Sequence, residues 1–176
     1  MALQESPEGE SLGRVSADGL RNLSFRIFRS LGSSETESRR VADHLVEANL
    51  RGHDSHGVGM LPVYVANALS GEMILNHAPD IARDLGTLLV CDGGRGVGQT
   101  IAAESMDLAC ARAAAHGSCI MAVRNSHHMG RIGAWAEQCA AQGMVSIHFV
   151  NVVSTPSVAP FGGRAPRVGT NPFAVG

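Results

Sequence analysis

The chain has 176 residues, of which 44% are hydrophobic, and its formal net charge at pH 7 is −2. This hydrophobic content is enough for a buried core and too high for a disordered chain. The small net charge and the 4% aromatic content argue against nucleic acid as a partner. No apolar run approaches the roughly 20 residues that a membrane-spanning helix needs, so we expect no membrane interaction.

The N-terminal residues and the cysteines favour a cytoplasmic protein. Residues 1–15 lack the basic start and the apolar stretch of a signal peptide, and they predict a flexible leader. The four cysteines stand singly in apolar segments, which is typical of buried, reduced thiols. None of them shows the spacing of a zinc site or a redox motif. A cytoplasmic location follows from these two observations.

The first part of the chain predicts three helices. Ser16 can cap a helix over residues 17–31, whose apolar face carries Leu20, Leu23, Ile27 and Phe28. Ser34 and Glu37 have the spacing of a capping box. They precede a second helix, whose inner side carries Val41, Leu45, Val46 and Ala48. A third helix is predicted over residues 60–69, with a proline in its first turn.

From residue 80 onwards, strands alternate with helices. The predicted elements are a hairpin at 81–84 and 87–92, a helix at 99–115, a buried strand at 119–123, a helix at 132–142, a strand at 144–150 and a strand from about 172. The chain therefore divides into a leader (1–15), a helical domain (16–78) and a partial α/β domain (79–176).

Residues 93–98 form a glycine cluster between a predicted strand and a predicted helix, where a dinucleotide fingerprint would lie. The spacing is not Gly-x-Gly-x-x-Gly, and no acidic residue caps a second strand at the required distance. This pattern favours a tight strand-to-helix turn over a Rossmann fold.

Residues 51–64 place two imidazoles, a carboxylate and a hydroxyl where a helix gives way to a turn. A turn between rigid elements is a common position for a general acid or base. The same residues fit a plain polar connection with Asp54 or Ser55 as a cap. A third alternative is a metal bound by His53, His56 and His128, although these residues do not have the ligand spacing of a known metal site.

Residues 124–133 follow a predicted strand and open a predicted helix. Free backbone amides at such a helix start can hold an anion such as a pyrophosphate, and Arg131 would add a positive charge. Gly130 and Gly133 would permit close approach of the backbone. The adjacent His127 and His128 cannot point the same way in an extended segment, which argues against one metal bound by both.

Three segments together resemble the type-2 malate/L-lactate dehydrogenase family. They are Asp-Ser-His-Gly-Val at 54–58 with Pro62 and Tyr64, Asn-Ser-His-His-Met-Gly at 125–130, and Pro-Phe-Gly-Gly at 160–163 with Gly-Thr-Asn-Pro at 169–172. The order and spacing are those of the family, and residues 52–62 are most similar to its hydroxycarboxylate dehydrogenase branch.

The resemblance implies a helical domain beside a non-Rossmann, largely antiparallel nucleotide-binding domain, and a homodimer that acts on a 2-oxo or 2-hydroxy acid with NAD or NADP. It implies that His56 donates the proton, with Ser55 beside it. The segments that would contact the cofactor contain His128, Met129, Gly130, Arg131, Ile132, Thr170, Asn171 and Pro172.

Two departures from the family pattern matter. Many members carry an arginine four residues after the motif histidine to grip the substrate carboxylate, and this chain has Met60 there. The chain also stops at Gly176, where members of the family continue, so the α/β fold is expected to be incomplete at the C-terminus. The alternative prediction is therefore a truncated, non-catalytic member of the family.

Overall fold

The computed structural model describes residues 14–153 and 156–176. The predicted leader lies outside the described residues, except for Arg14 and Val15. The helices are α1 (Ala17–Ser30), α2 (Glu35–Leu50), α3 (Leu61–Ser70), α4 (Gly98–His116) and α5 (Gly133–Ala141), with single-turn 3₁₀ helices at Asp54–His56 and Val58–Met60. The strands are β1 (Asp80–Asp84), β2 (Leu88–Asp92), β3 (Ile120–Arg124), β4 (Ile147–Phe149) and β5 (Phe173–Val175). Within the described ranges, every helix is too short or too polar to cross a membrane.

Side-chain caps start the first two helices, as the sequence predicts. The Ser16 hydroxyl accepts a hydrogen bond from a backbone amide in the first turn of α1, and the Ser34 hydroxyl accepts from the amide of Glu37 (3.2 Å). The capping box is only half formed, because the Glu37 carboxylate does not return to Ser34. It accepts instead from the Ser33 hydroxyl (2.8 Å) and from the Asn76 amide (2.9 Å), which ties α2 to the segment after α3.

The helical region encloses an apolar core made of Phe28, Val41, Leu45, Leu61, Tyr64, Met73 and Val97. The predicted inner side of α2 is confirmed, because its four apolar residues are buried. The predicted position of Leu23 on the inner face of α1 is wrong, since this side chain is 52% exposed. Ser24 takes the buried position instead, where its hydroxyl donates to the carbonyl of Leu20 one turn earlier (2.8 Å).

The strands form two small sheets. β1 and β2 make the predicted antiparallel hairpin, with Asp80 opposite Asp92, and β3 pairs with β2 in parallel. β4 and β5 form a separate antiparallel pair. Two of the three described pairings are therefore antiparallel. This arrangement confirms the predicted α/β class with a non-Rossmann, largely antiparallel sheet.

Strand β3 is more exposed than the sequence predicts. Its residues alternate between half-buried and exposed positions, and Ile120 is 68% exposed. A fully buried strand needs a covering layer on both faces of its sheet. α4 packs against β3, and every second side chain of the strand still faces outward. The apolar run at 119–123 therefore predicts a strand correctly but does not show that the strand is buried.

The four cysteines are free thiols, as predicted. Cys91, Cys110 and Cys139 are buried, and Cys119 is partly exposed. Burial, followed by the neighbouring Cys139, raises the pKa of the Cys110 thiol to about 11. This thiol stays protonated near neutral pH and serves as a packing residue.

Candidate active site

The turn that carries His56 is held in shape by one side chain at the end of α2. The amide group of Asn49 donates to the carboxylate of Asp54 (2.6 Å), and its oxygen accepts from the backbone N–H of Val58 (2.8 Å). A Cβ at Gly57 would collide with the Asn49 side chain, so glycine is required at this close approach. We call these two contacts of Asn49 the clamp. They include Asp54 and fix the backbone that carries His56.

His56 and Ser55 interact directly. The Ser55 Oγ lies 2.9 Å from Nδ1 of His56, whereas Nε2 has no hydrogen bond to any residue that the structure describes. Burial of the half-exposed imidazole, followed by the charge of nearby His53, lowers the pKa of His56 below its usual 6.5. The imidazole is therefore neutral at pH 7. It can accept a proton in that form and donate one below its pKa.

A second imidazole, His128, lies beside His56 with its ring centroid 5.3 Å away; we call these two residues the histidine pair. The Tyr64 hydroxyl is 2.6 Å from Nδ1 of His128, and the same hydroxyl accepts from Nε2 of Gln99 (2.9 Å). Burial, followed by the charges of His56 and His127, lowers the pKa of His128 to about 4. The fold thus brings two distant sequence segments together as neighbouring neutral imidazoles.

His127 has a different polar partner from His128. Its Nε2 lies 2.8 Å from the side-chain nitrogen of Asn67, and its ring meets Tyr64 edge-on at 5.6 Å. Across the described part of the chain, no three His, Cys, Asp or Glu side chains are grouped closely enough to hold a metal ion. His53 and the histidine pair are therefore not brought together as a group of three ligands in this part of the chain.

The charge of Arg131 is not available to an anion, contrary to the expectation from the sequence. Its side chain is only 8% exposed, and its guanidinium donates two hydrogen bonds to the Glu137 carboxylate (2.9 and 2.8 Å). Arg51, just after α2, contacts the same carboxylate (3.2 Å). The backbone amide of Arg131 donates to Nε2 of His44 (2.9 Å). The segment before α5 therefore uses this cation and this amide to join α5 to α2.

His44 fixes the backbone of residues 130 and 131 from within α2. Its ring stacks on Trp135 with centroids 5.0 Å apart, and Gly130 faces it with a positive φ of 72°. A Cβ at Gly130 would collide with the imidazole. Burial, followed by the charge of Arg131, lowers the pKa of His44 to about 4 and keeps Nε2 free to accept.

The side chains of Met129 and Ile132 pack inward, against the cluster of Ala102, Ala103 and Trp135. Met60, in the position where a carboxylate-binding arginine is common, packs against the helical core. Whatever Met129 and Ile132 offer a ligand must therefore come mainly from their backbone.

The glycine cluster between β2 and α4 is a structural turn, as predicted. The amides of Gly93 and Arg95 donate to the carbonyls of Arg124 (2.8 Å), the last residue of β3, and Asn125 (2.6 Å), the residue after it. The amide of Gly96 closes the turn onto the carbonyl of Gly93 (2.6 Å). These three amides are used within the protein and cannot cradle a phosphate.

Thr170, Asn171 and Pro172 lie in the connection that leads into β5. Asn171 has a positive φ of 41°, and its side-chain oxygen accepts from the amide of Val152 (2.8 Å). The carbonyl of Pro172 accepts from the amide of Val150 (3.1 Å). Hydrogen bonds among the described residues do not link this connection to the histidine pair. A cofactor contact here stays a prediction.

Sequence reasoning gave no role to Tyr64, Gln99 or His44, all of which contact the predicted site segments. Tyr64 had a signal, since it belongs to the first motif. Gln99 and His44 sit inside helices, and only tertiary contacts connect them to the site.

Residues 15–176 match the family model described as malate/L-lactate dehydrogenase. The chain belongs to this family. Two relatives are similar to this chain in sequence. Hydroxycarboxylate dehydrogenase B of Escherichia coli K12 is 51% identical over 166 residues, and L-lactate dehydrogenase of Cupriavidus necator is 45% identical over 162 residues.

The chain spans about half the length of these malate/L-lactate dehydrogenase relatives. The match with the E. coli protein covers 94% of this chain and 46% of that protein. The match with the Cupriavidus protein covers 91% of this chain and 46% of that protein. The solved structure of malate dehydrogenase from Pyrococcus horikoshii matches with a TM-score of 0.87 and 37% identity, over 99% of this chain and 49% of that one. The predicted resemblance is confirmed in both sequence and fold.

Proposed function

We propose that this protein transfers a hydride between a nicotinamide cofactor and a 2-hydroxy or 2-oxo carboxylic acid. The observation that carries the proposal is the histidine pair: an imidazole with a free Nε2 on a clamped turn, beside a second imidazole. The names of the relatives, hydroxycarboxylate and L-lactate dehydrogenase, describe this chemistry for those proteins.

The candidate site fits the nicotinamide end of such a cofactor. Nε2 of His128 forms no hydrogen bond with any residue that the structure describes and is not among the buried unpartnered atoms, so it can meet a polar group of a ligand. A bound nicotinamide would supply or take the hydride. Arg131 does not fit a pyrophosphate, because Glu137 already neutralises it.

We assign the cofactor contacts to two segments and take NAD as the cofactor, with NADP as the alternative. The first segment precedes α5, and its inward side chains leave mainly backbone groups for binding. The second leads into β5. The assigned residues are His128, Met129, Gly130, Arg131, Ile132, Thr170, Asn171 and Pro172.

His56 is assigned the proton. Reduction of a 2-oxo acid needs one proton for the oxygen that becomes a hydroxyl, and oxidation of the hydroxy acid releases it. Ser55 holds Nδ1 of His56, so Nε2 is the nitrogen that exchanges this proton. Because burial lowers the pKa of His56, reduction should slow as the pH rises through that lowered pKa. Oxidation should gain over the same interval, because it needs the neutral ring.

Replacement of His56 tests this assignment. His56→Gln should lower kcat for 2-oxo acid reduction by roughly 10² to 10⁴-fold, the usual contribution of a positioned acid or base. Ser55→Ala should cost less, because it removes only the orientation of the ring. His116→Gln, at the exposed end of α4, is the control and should keep normal turnover. Equal activity in the His56 and His116 variants would refute the assignment.

The second candidate is that this protein is non-catalytic and does not bind the cofactor by itself. Large apolar side chains on the sheets are exposed, including Phe149 at 81% and Phe173 at 62%, and such surfaces mark sites of association. A titration of the 176-residue chain with NADH, followed by fluorescence, separates the candidates. Saturable binding supports the enzyme, whereas self-association without binding supports the non-catalytic chain.

The assembly, location and domain division stay proposals. We take the protein to be a cytoplasmic homodimer with a helical domain at 16–78 and an α/β domain at 79–176. Sedimentation velocity measures the oligomeric state. Limited proteolysis tests whether cleavage concentrates near residue 78.

A further inference from the structure

Gln99 is a fully buried amide in the first turn of α4 to which the proposed chemistry gives no role. Its Nε2 donates to the Tyr64 hydroxyl (2.9 Å), while its Oε1 is buried without a partner among the described residues. An unsatisfied buried polar atom destabilises the fold. An apolar side chain would avoid this cost, so the contact with Tyr64 is what distinguishes glutamine at this position.

The direction of each hydrogen bond in the series Gln99–Tyr64–His128 follows from the donor groups. An amide N–H can only donate, so the Tyr64 oxygen is the acceptor and the hydroxyl hydrogen is left for another atom. Nδ1 of His128, at 2.6 Å, is positioned to receive it. A ring nitrogen that accepts carries no proton, so neutral His128 must carry its proton on Nε2.

The opposite direction would require the Gln99 amide to be turned over, with its oxygen accepting from Tyr64. Its NH₂ group would then occupy the buried position that now holds Oε1, where no partner is described. Buried N–H groups without acceptors are rarer than under-satisfied carbonyl oxygens. Burial also raises the pKa of Tyr64 to about 12, so the hydroxyl keeps its hydrogen.

We propose that Gln99 is a positioning residue: by donating to Tyr64, it turns the Tyr64 hydroxyl toward Nδ1 and fixes His128 as the Nε2–H tautomer. His128 then presents a permanent N–H donor next to His56, suited to a carboxylate or carbonyl oxygen. That use of the donor rests on the proposed function. The tautomer itself does not, since it needs neither cofactor nor substrate.

The tautomer is measured by long-range ¹H–¹⁵N correlation NMR on the ¹⁵N,¹³C-labelled 176-residue chain, with the His128 signals assigned by their loss in His128→Gln. At pH 7 we expect a protonated Nε2 and an unprotonated Nδ1. The Gln99→Glu variant should reverse the direction of both hydrogen bonds in the series once its carboxylate is ionised. The carboxylate then accepts from the Tyr64 hydroxyl, whose oxygen accepts from Nδ1 of His128. His128 should change to the Nδ1–H tautomer at the pH where the ¹³C carboxyl shift reports that ionisation.

Gln142→Glu is the matched control, since it places the same carboxylate on the exposed residue just after α5 and should leave the His128 tautomer unchanged. Tyr64→Phe keeps the aromatic ring, removes the donor and should let the two tautomers of His128 exchange. An Nδ1–H tautomer in the unmodified chain would overturn the proposal. An Nε2–H tautomer that survives both the ionised carboxylate of Gln99→Glu and the loss of the Tyr64 hydroxyl would overturn it as well. A loss of NADH binding without these changes would count only against the proposed function.

Discussion

The helical region and the sheet region of this chain are packed in different ways. Around Tyr64, residues of α1, α2 and α3 such as Phe28 and Leu45 are fully buried. In the sheets, Ile120 is 68% exposed and Phe149 is 81% exposed. The helical region completes its core mainly with residues of its own three helices, joined by Met73 and Val97. The comparison indicates that stability resides mainly in the helical region, which also carries the His56 turn.

Truncation of one phenylalanine in each region gives the largest expected contrast. Phe28→Ala should lower the free energy of unfolding by about 3–5 kcal/mol, because it leaves a cavity in a closed core. Phe149→Ala removes an exposed side chain and should change it by about 0.5 kcal/mol or less. Urea unfolding followed by circular dichroism measures both. Equal losses would mean that the sheet region is as well packed as the helical one.

His44 in α2 contacts Gly130 and Arg131 before α5, and we call this contact between the two regions the joint. It is tested at Gly130. Gly130→Ala places a Cβ against the His44 ring at a positive φ, and we expect a loss of about 2–4 kcal/mol in unfolding free energy. Gly117→Ala is the control, because Gly117 has a φ of 84° and open space around it. It should cost only the backbone strain, about 1 kcal/mol. If the two variants lose the same stability, the contact of His44 with the segment before α5 does not matter.

His44 also makes the joint sensitive to pH. Its pKa is about 4 in the folded chain and about 6.5 when unfolded, so the unfolded state binds more protons between these values. Stability is therefore fully present above pH 6.5 and is lost as the pH falls toward 4. Between pH 7 and pH 5, His44→Gln should lose about 1–2 kcal/mol less than the unmodified chain does, measured by urea unfolding. His116→Gln should follow the unmodified chain, and a His44→Gln curve parallel to it would contradict the expectation.

The smallest expected effect concerns local structure within the helical region. Ser16→Ala removes the cap of α1 and should cost about 1 kcal/mol. Ser30→Ala, at the exposed end of the same helix, is the control and should stay within about 0.5 kcal/mol of the unmodified chain. Thermal unfolding monitored by circular dichroism is sufficient. A Ser16 variant as stable as the control would show that tertiary packing alone starts α1.

Features that depend on neighbouring residues could be predicted from the sequence, and features that depend on distant ones could not. The Ser16 cap and the inner side of α2 follow from local spacing, and both are confirmed. The pairing of Arg131 with Glu137 was missed, although it spans only six residues, because the motif indicated an anion as the partner of the arginine. The exposure of Ile120 was missed since an apolar run does not report how many faces are covered.

The same distinction holds in the candidate site. The motif segments around His56 and His128 could each be singled out from residue types and spacing. Their contact could not, because it depends on how α2, α3 and the segment after β3 pack together. Gln99 illustrates the limit most clearly, since a glutamine after glycine at a helix start gives no sign that it donates to Tyr64.

The clamp formed by Asn49 has a consequence for protein engineering. One amide of α2 braces the loop at Asp54 and again at Val58, and the two intervening polar side chains, Ser55 and His56, form no part of that brace. Libraries that randomise positions 55 and 56 should therefore retain the loop conformation. New reactive groups could be installed there on an unchanged scaffold, provided that Asn49 and Gly57 are kept.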